Sequence, residues 1–340
     1  MKNVYVIAEA GVNHNGSLKL ACKLIDAAKA SRADAVKFQT FKTENLLTHS
    51  ACMANYQKRN LKSRSNQFQM LKSLELSYDN FSKLKAYAKS IGIEFLSTPD
   101  EEESLDFLVD QLDITCIKIG SGEVTNLPFL GRIAAKQKRM ILSTGMSTLG
   151  EVERAIKTIR QVNQQELTLL HCTSNYPCPP LEVNLRAMKT LKQVFQTKVG
   201  YSDHTLGIEV SIAAVALGAE VIEKHLTLDK GMKGPDHKSS LEPKEFAEMI
   251  SKIRVVEQAL GSGVKMPSVS ERKIKPMVRK RIVTARELPA SLALKISDLC
   301  FKRAKKGIYV ENLNNVIGLK LKKRLKANMP ICWHLLLKKS

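Results

Sequence analysis

Lysines, histidines and hydroxyl side chains directly follow short apolar segments in the first three quarters of the chain. Lys37 and Lys118, with several hydroxyls in similar positions, suit an anionic ligand such as a phosphate or a carboxylate. His204 and His225 could share a first-row divalent metal if the fold brings their imidazoles together. Their spacing alone does not decide this, because a pair of hydrogen-bonded structural histidines would fit it equally well.

The elements that carry these side chains are short apolar segments alternating with longer amphipathic ones. Strands are predicted at Val4–Ala8, Ala35–Gln39, Ile93–Ser97, Cys116–Ile119, Met140–Ser143, Leu167–His171, Lys198–Tyr201 and Glu220–Lys224. Helices are predicted at Leu18–Ser31, Asn80–Ile91, Glu102–Gln111, Leu127–Gln137, Leu149–Val162, Val183–Phe195, Leu206–Leu217 and Pro243–Leu260. Repeated β-then-α units predict an α/β fold, a closed (β/α)8 TIM barrel. An open doubly wound sheet, the alternative, would call for a glycine-rich phosphate turn after the first strand, and the sequence has none there.

Barrels of this type place function at the carboxyl ends of their strands. In this sequence each predicted strand delivers at least one polar group to that rim. The candidates there are Glu9, Lys37, Thr98, Lys118, Ser121, Ser143, Tyr176, Ser202, His204 and His225. Any one of them could be an ordinary loop residue, but polar groups on all eight strands together indicate a site.

The charge of the chain is unevenly distributed. The protein has 340 residues with a formal net charge of +21, and most of the excess lies after residue 261. We predict a barrel domain at 1–261, a basic linker at 262–281 and a small domain at 282–337. A charge excess of this kind raises the possibility of nucleic-acid binding. That partner is not favoured, because no zinc, helix-turn-helix or RNA-binding aromatic signature accompanies the lysines and arginines.

Several other classes of protein are excluded by composition. No apolar stretch is long enough to cross a bilayer, and Glu9 interrupts the first apolar segment too early for a signal peptide. The seven cysteines are scattered and never form a Cys-x-x-Cys pair, which favours reduced thiols and a cytoplasmic location.

A set of short motifs occurs in order along the chain. The first, Ala8–Gly16 (AEAGVNHNG), is similar to the opening signature of the sialic acid (nonulosonic acid) synthases. The other matching motifs follow in order at 36–40 (VKFQT), 96–99 (LSTP), 118–123 (KIGSGE), 142–146 (LSTGM), 170–173 (LHCT), 176–177 (YP), 201–205 (YSDHT), 223–225 (EKH) and 234–236 (GPD). Together they extend over nearly the whole chain.

The resemblance implies a fold and a reaction. The barrel would be followed by a small antifreeze-like (SAF, β-clip) domain, with which residues 285–288, 301–303 and 317–321 show similarity. The reaction would join phosphoenolpyruvate to an N-acetylated amino sugar such as N-acetylmannosamine and release phosphate. It would depend on a divalent metal, Mn²⁺ or Mg²⁺, and the small domain would cap the partner's site in a domain-swapped homodimer.

Roles for individual residues follow from the same resemblance. The phosphoenolpyruvate group would be held by Lys37, Thr98, Lys118, Ser121, Ser143 and Ser202. The metal ligands would be His204 and His225, and Glu9 and Glu123 are the candidate catalytic carboxylates. The sugar would contact Tyr176, Asp236 and Arg303, although the sequence after Arg303 departs from the usual family pattern.

The acceptor sugar is left open at this level. N-acetylneuraminate synthesis from N-acetylmannosamine is the first expectation. A legionaminic acid synthase acting on a 2,4-diacetamido-trideoxyhexose, or more distantly a pseudaminic acid synthase, would use the same residues.

Overall fold

The fold is taken from a computed structural model, which describes residues 3–54, 57–58 and 66–337. The chain divides into two compact units, Met1–Gly261 and Ser262–Ser340. No helix among the described residues is both long and apolar enough to span a bilayer.

Eight parallel strands form a closed barrel in the first unit, each paired with its neighbours in chain order. They are β1 (Tyr5–Gly11), β2 (Ala35–Thr40), β3 (Glu94–Pro99), β4 (Cys116–Ile119), β5 (Arg139–Ser143), β6 (Leu167–Cys172), β7 (Lys198–Asp203) and β8 (Val221–His225). The predicted (β/α)8 barrel is confirmed. Most strands run one or more residues further than predicted at the carboxyl end, so Glu9, Thr98, Ser202 and His225 belong to the sheet.

Helices follow the strands around the barrel. They are α1 (Leu18–Ala30), α2 (Thr43–Leu46), α3 (Gln67–Leu74), α4 (Tyr78–Ile91), α5 (Glu102–Asp106), α6 (Leu127–Ala135), α7 (Leu149–Val162), α8 (Ala187–Phe195), α9 (Glu209–Ala216) and α10 (Pro243–Leu260). Helix α5 continues into a π-helical turn at Phe107–Gln111. Helix α8 begins later than predicted, because Asn184 has a left-handed backbone (φ 50°) that a helix cannot contain.

The inside of the barrel is built in two layers. An apolar layer near the amino ends of the strands consists of Ile7, Ala35, Leu96, Cys116, Ile141, Leu170 and Val221. Because alternate residues of a strand share a face, the residues two positions further along also point into the barrel. They form the next layer toward the carboxyl ends of the strands. We call it the polar layer: Glu9, Lys37, Thr98, Lys118, Ser143, Cys172, Ser202 and Glu223. The apolar layer is therefore the floor on which the polar side chains stand.

Strand β7 contributes only a glycine at the level of the apolar layer. A Cβ atom at Gly200 would lie 2.3 Å from the Val221 carbonyl oxygen and 2.7 Å from Leu170 Cδ2. A larger residue would force the neighbouring strands apart, so glycine allows β7 to close the barrel beneath Ser202.

The second unit has its own small apolar core, including Ile282, Leu294 and Val316. It contains helix α11 (Val269–Val278), the antiparallel strands β9 (Arg281–Thr284) and β10 (Leu299–Lys302), and helix α12 (Leu313–Val316). The segment predicted as a linker, 262–281, thus contains a helix and the first residue of a strand. Its many basic residues concealed the helical pattern, in which Ser268 caps the first turn.

Candidate active site

Two lysines and two glutamates form a buried charge network in the polar layer. Lys37 Nζ lies 2.6 Å from Glu9 Oε2 and 3.8 Å from Glu223 Oε2. Lys118 Nζ lies 3.5 Å from Glu223 Oε1. All four side chains are nearly inaccessible to solvent, with at most 6% of any of them exposed. Because two positive charges face two negative ones, the network can persist in a buried site without a ligand.

The network sets the charge state of its members. Burial opposes ionisation of Glu223, but Lys118 and Lys37 more than offset this and lower the pKa of that carboxyl below its usual range. Burial likewise opposes the charge of Lys37, yet Glu223 and Glu9 together raise its pKa. For Lys118 burial dominates and the pKa is lowered, although Glu223 acts in the opposite direction. An anion that approaches the two lysines would therefore strengthen the charged form of Lys118.

Hydroxyl groups lie beside the two lysine ammonium groups of the network. Lys37 Nζ donates a hydrogen bond to Thr98 Oγ1 at 3.3 Å, and Lys118 Nζ donates to Ser143 Oγ at 2.8 Å. Ser121 lines the same cavity from the turn that follows β4. Ammonium groups with adjacent hydroxyls are a suitable set of donors for a phosphate or a carboxylate.

The two histidines at the ends of β7 and β8 meet beside Tyr176. The ring centroids of His204 and His225 are 5.7 Å apart, and the Tyr176 ring lies 4.1 Å from that of His204. His204 Nδ1 donates to the Thr173 carbonyl at 2.7 Å, so Nε2 carries the lone pair that can bind a metal. Ser202 Oγ lies 3.4 Å from this Nε2 and donates its own proton to Glu223. Burial lowers the pKa of His204 to about 4, and burial together with His204 lowers that of His225 well below its usual value. Both imidazoles are thus neutral, the form that binds a metal.

These two residues fit part of a metal site. Within the described part of the chain, no group of three or more His, Cys, Asp or Glu side chains is arranged to hold a metal ion. A cation bound by His204 and His225 would therefore take its other ligands from water or substrate, as open catalytic sites do. The buried His225 Nδ1 has no hydrogen-bond partner, so this ring is not committed to another structural contact through that atom.

The remaining predicted residues are placed in three different ways. Asp236 is buried, with Oδ2 4.0 Å from His225 Nδ1, and burial and the nearby Glu9 raise its pKa to about 7. Glu123 accepts a hydrogen bond from Asn126 at 2.7 Å and is not among the side chains that line the cavity, so its catalytic role stays a prediction. Arg303 is exposed and belongs to the second unit, so its contact with the sugar also stays a prediction.

The structure gives a place in the charge network to Glu223, a rim carboxylate to which the sequence analysis assigned no catalytic or binding role. Glu223 accepts a hydrogen bond from Ser202 Oγ at 2.9 Å, in addition to its two lysine contacts. A signal for it exists in the sequence. Glu223 precedes His225 by two positions on the same strand, so both must face the barrel interior.

Apart from Asp236, Glu123 and Arg303, the side chains assigned to the site line one cavity of about 270 Å³ at the carboxyl ends of the strands. Its lining also includes Gln39, Asp100, Gly120, Gly122, Met146, Cys172 and Ser174. A larger cavity of about 670 Å³ lies at the opposite end of the barrel, where Glu94 and Arg139 form an ion pair at 3.4 Å. Among the described residues, none of the charged side chains that line this larger cavity has a buried atom without a hydrogen-bond partner. We therefore place the candidate active site in the smaller cavity.

A second ion pair holds the two histidine-bearing strands together from the outside of the barrel. Lys224 Nζ lies 2.9 Å from Asp203 Oδ2 and donates to the Thr205 carbonyl at 2.5 Å, and both charged side chains are fully buried. Asp203 also accepts hydrogen bonds from Thr205 and from Ser211 Oγ. Since residues on either side of Asp203 and Lys224 point inward, this pair fixes the register of the site residues on β7 and β8.

Replacing Lys224 should destabilise the barrel strongly. Lys224→Met leaves the Asp203 carboxylate buried without its counter-charge, for which we expect a loss of about 3–5 kcal/mol in the free energy of unfolding. Urea unfolding followed by circular dichroism measures it. Lys192→Met is the control, because it removes a half-exposed ion pair with Glu220 and should cost less than about 1 kcal/mol. Similar losses of unfolding free energy in the two variants would contradict the stabilising role given to the buried Lys224–Asp203 pair.

Comparisons with known proteins place the chain among enzymes of one kind. Residues 24–265 match the model of a family described as the NeuB family. The chain is 47% identical to an N,N'-diacetyllegionaminic acid synthase of Legionella pneumophila, over 97% of this chain and 93% of the relative. It is 48% identical to the enzyme of the same name from Campylobacter jejuni, over 94% of this chain and 96% of the relative. Among solved structures, a sialic acid synthetase from Leptospira borgpetersenii, in complex with citrate, superposes with a TM-score of 0.72 at 34% identity. That likeness covers 80% of this chain and 90% of the other.

Proposed function

The chain belongs to the NeuB family, and on this premise we propose that it is an N,N'-diacetyllegionaminic acid synthase. It would join phosphoenolpyruvate to a 2,4-diacetamido-trideoxyhexose and release inorganic phosphate. The identity of 47% and 48% to two synthases of that name, over more than nine tenths of the chain, carries the choice of acceptor. N-acetylneuraminate synthesis, the first expectation from the sequence, becomes the second candidate, supported by the 34% identity to a sialic acid synthetase.

The charge network supports binding of phosphoenolpyruvate. Its carboxylate and phosphate would replace Glu9 and Glu223 as partners of the Lys37 and Lys118 ammonium groups. Thr98 Oγ1 and Ser143 Oγ already accept hydrogen bonds from those ammonium groups. Ser121, from the turn after β4, and Ser202, from β7, would add further hydroxyl donors. Glu223 would keep the hydrogen bond from Ser202, and Glu9 would keep the one from Gln39, when the lysines turn to the anion.

The polar layer also supports the bond-forming steps. C3 of phosphoenolpyruvate attacks the sugar aldehyde, water adds at C2, and cleavage of the C2–O bond releases phosphate. Burial raises the pKa of Glu9, against the opposing effect of Lys37, which suits a group that must exchange a proton near neutral pH. We propose that Glu9 is this acid/base. Glu223, ionised throughout, would stabilise positive charge that develops at C2.

The histidine pair supports a metal requirement. We propose that His204 and His225 hold a divalent cation, Mn²⁺ or Mg²⁺, with water or substrate completing its coordination. When bound, such a cation supplies Lewis-acid polarisation of the aldehyde carbonyl. Tyr176 and Asp236 lie next to the two imidazoles, so the sugar would bind on this side of the cavity.

The second unit is proposed to be an SAF-type capping domain. Its short antiparallel strands and separate apolar core are compatible with that assignment. We propose that it acts in a domain-swapped homodimer in which Arg303 contacts the N-acyl group of the sugar. The seven cysteines are free thiols, which suits the cytoplasmic location that we propose.

Phosphate release tests the proposed activity. Purified protein is incubated with phosphoenolpyruvate, Mn²⁺ and either the 2,4-diacetamido-trideoxyhexose or N-acetylmannosamine, with a reaction lacking sugar as the blank. We expect each sugar to cause phosphate release above the blank without sugar. We expect kcat/KM to be higher for the diacetamido sugar. A higher kcat/KM for N-acetylmannosamine would favour N-acetylneuraminate synthesis instead, and no release with any amino sugar would overturn the assignment as a synthase.

A further inference from the structure

Asp100 is a carboxylate in the candidate active site that the proposed mechanism leaves unused. It follows directly after β3, and its side chain lines the same cavity as Thr98 and Lys37. Its backbone N–H donates to the Thr40 carbonyl at 3.1 Å, which fixes the chain at the point where the side chain leaves it. The carboxylate itself makes no hydrogen bond, and no ion pair within 4 Å, with any residue that the structure describes.

The other carboxylates that line the cavity differ in this respect. Glu9 is paired with Lys37, and Glu223 is paired with both Lys37 and Lys118. The two lysines are thus already balanced by two glutamates, and Asp100 adds a negative charge that has no close counter-charge. A carboxylate placed in this way at the edge of a cavity has its acceptor capacity available for a ligand.

The charge of Asp100 selects between the two substrates. Phosphoenolpyruvate brings a carboxylate and a phosphate, which a third carboxylate would repel. The acceptor sugar is neutral and presents hydroxyl and acetamido N–H groups, all of which can donate to a carboxylate. We propose that Asp100 is a specificity-determining residue that accepts a hydrogen bond from the part of the acceptor sugar that reaches the end of β3. This inference rests on the proposed function.

The protonation of Asp100 is consistent with such a role and makes it dependent on pH. Burial raises its pKa to about 7, Lys37 opposes this rise, and Glu123, Glu9 and Glu101 add to it. Only the ionised form accepts hydrogen bonds on both oxygens. The KM for the sugar should therefore fall as pH rises through about 7.

The test compares the KM values of the two substrates in three variants of the full chain. Asp100→Leu removes the acceptor and keeps the branching of the side chain, Asp100→Asn removes the charge at similar volume and keeps one acceptor oxygen, and Glu103→Gln is the matched control. Glu103 is exposed on α5 and bonds Asn45 at 2.9 Å, outside the cavity. For Asp100→Leu we expect the sugar KM to rise about 10- to 100-fold, the range for losing a hydrogen bond to a charged group. We expect the phosphoenolpyruvate KM to stay the same or fall.

The two substrates make the outcomes distinguishable. A smaller rise in sugar KM for Asp100→Asn, and unchanged values for Glu103→Gln, would complete the expected pattern. A sugar KM at the wild-type value in Asp100→Leu would overturn the inference, and so would a parallel rise of both KM values, which indicates a structural role. If the fall of sugar KM with pH persists in Asp100→Asn, a group other than Asp100 is titrating and the pH part of the inference is wrong. The wild-type reaction separates these results from a failure of the proposed function. If the proposed function is wrong, the wild-type protein releases no phosphate with any amino sugar.

The same variants show whether a hydroxyl or an acetamido N–H of the sugar donates to Asp100. If an acetamido N–H at C4 is the donor, Asp100→Leu lowers kcat/KM more for the diacetamido sugar than for N-acetylmannosamine. Equal losses with the two sugars would identify a group that they share.

Discussion

Glu9→Gln is expected to reduce turnover by at least about 100-fold and up to about 10,000-fold, the range attributed to general acid–base catalysis. Glutamine has the same shape and can keep the contact with Gln39, which donates to Glu9 Oε1 at 3.2 Å. It cannot take up or release a proton at neutral pH. The variant therefore removes the proposed proton transfer and leaves the volume of the site unchanged.

Substrate binding should survive the same change. Lys37 loses its closest carboxylate, Glu9, but keeps Glu223 at 3.8 Å, so its charge remains balanced in part. With one negative charge fewer beside it, Lys37 should hold the phosphoenolpyruvate anion as well as before or more tightly. Isothermal titration of the variant with phosphoenolpyruvate measures the affinity, and phosphate release measures turnover. The exposed Glu103→Gln serves as the acid-to-amide control.

Two results would contradict the role given to Glu9. Near-normal turnover in Glu9→Gln would remove this carboxylate from the mechanism. A loss of phosphoenolpyruvate affinity as large as the loss of turnover would show that Glu9 organises the lysines and transfers no proton.

The strands of the barrel could be predicted because strands buried on both faces are short, continuous apolar segments. Every predicted strand overlaps an observed one, and β4 (Cys116–Ile119) has the predicted bounds. The rim position of most site residues followed from this, since parallel strands in a barrel end on the same side. The convergence of His204 and His225 is a consequence of the barrel closing in chain order, which places β7 beside β8.

The pairings between side chains could not be predicted in the same way. Glu223 meets Lys37 and Lys118, which come from strands far away in the sequence, and nothing local specifies which lysine faces which glutamate. The sequence analysis selected Glu123 as a catalytic candidate and gave Glu223 no role, although Glu223 shares its strand face with His225. Their difference arises after folding, because a short 3₁₀ turn at Ser121–Glu123 directs Glu123 toward Asn126 and away from the cavity.

Removal of either imidazole is expected to abolish tight binding of Mn²⁺ to the folded protein. An imidazole supplies a bond to the metal itself. Its loss should therefore lower affinity by more than the roughly 10- to 100-fold that the loss of an outer hydrogen-bond partner costs. His225→Asn keeps a polar side chain in a buried position and cannot reach as far as the ring. Tight binding that depends on His204 and His225 together would identify them as one site, although no third protein ligand is arranged beside them in the described part of the chain.

Electron paramagnetic resonance of free Mn²⁺ measures this without substrates and without turnover. His171→Gln is the control, since this strand histidine bonds the Val183 carbonyl at 2.7 Å and does not line the cavity. It should retain the wild-type affinity, while His204→Asn and His225→Asn each lose it. Retention of Mn²⁺ in both of those variants would mean that the imidazole pair serves only to orient Tyr176 and the sugar. The carbonyl would then have to be polarised by the protein's own donors, of which Lys37 and Lys118 are the charged ones in the cavity.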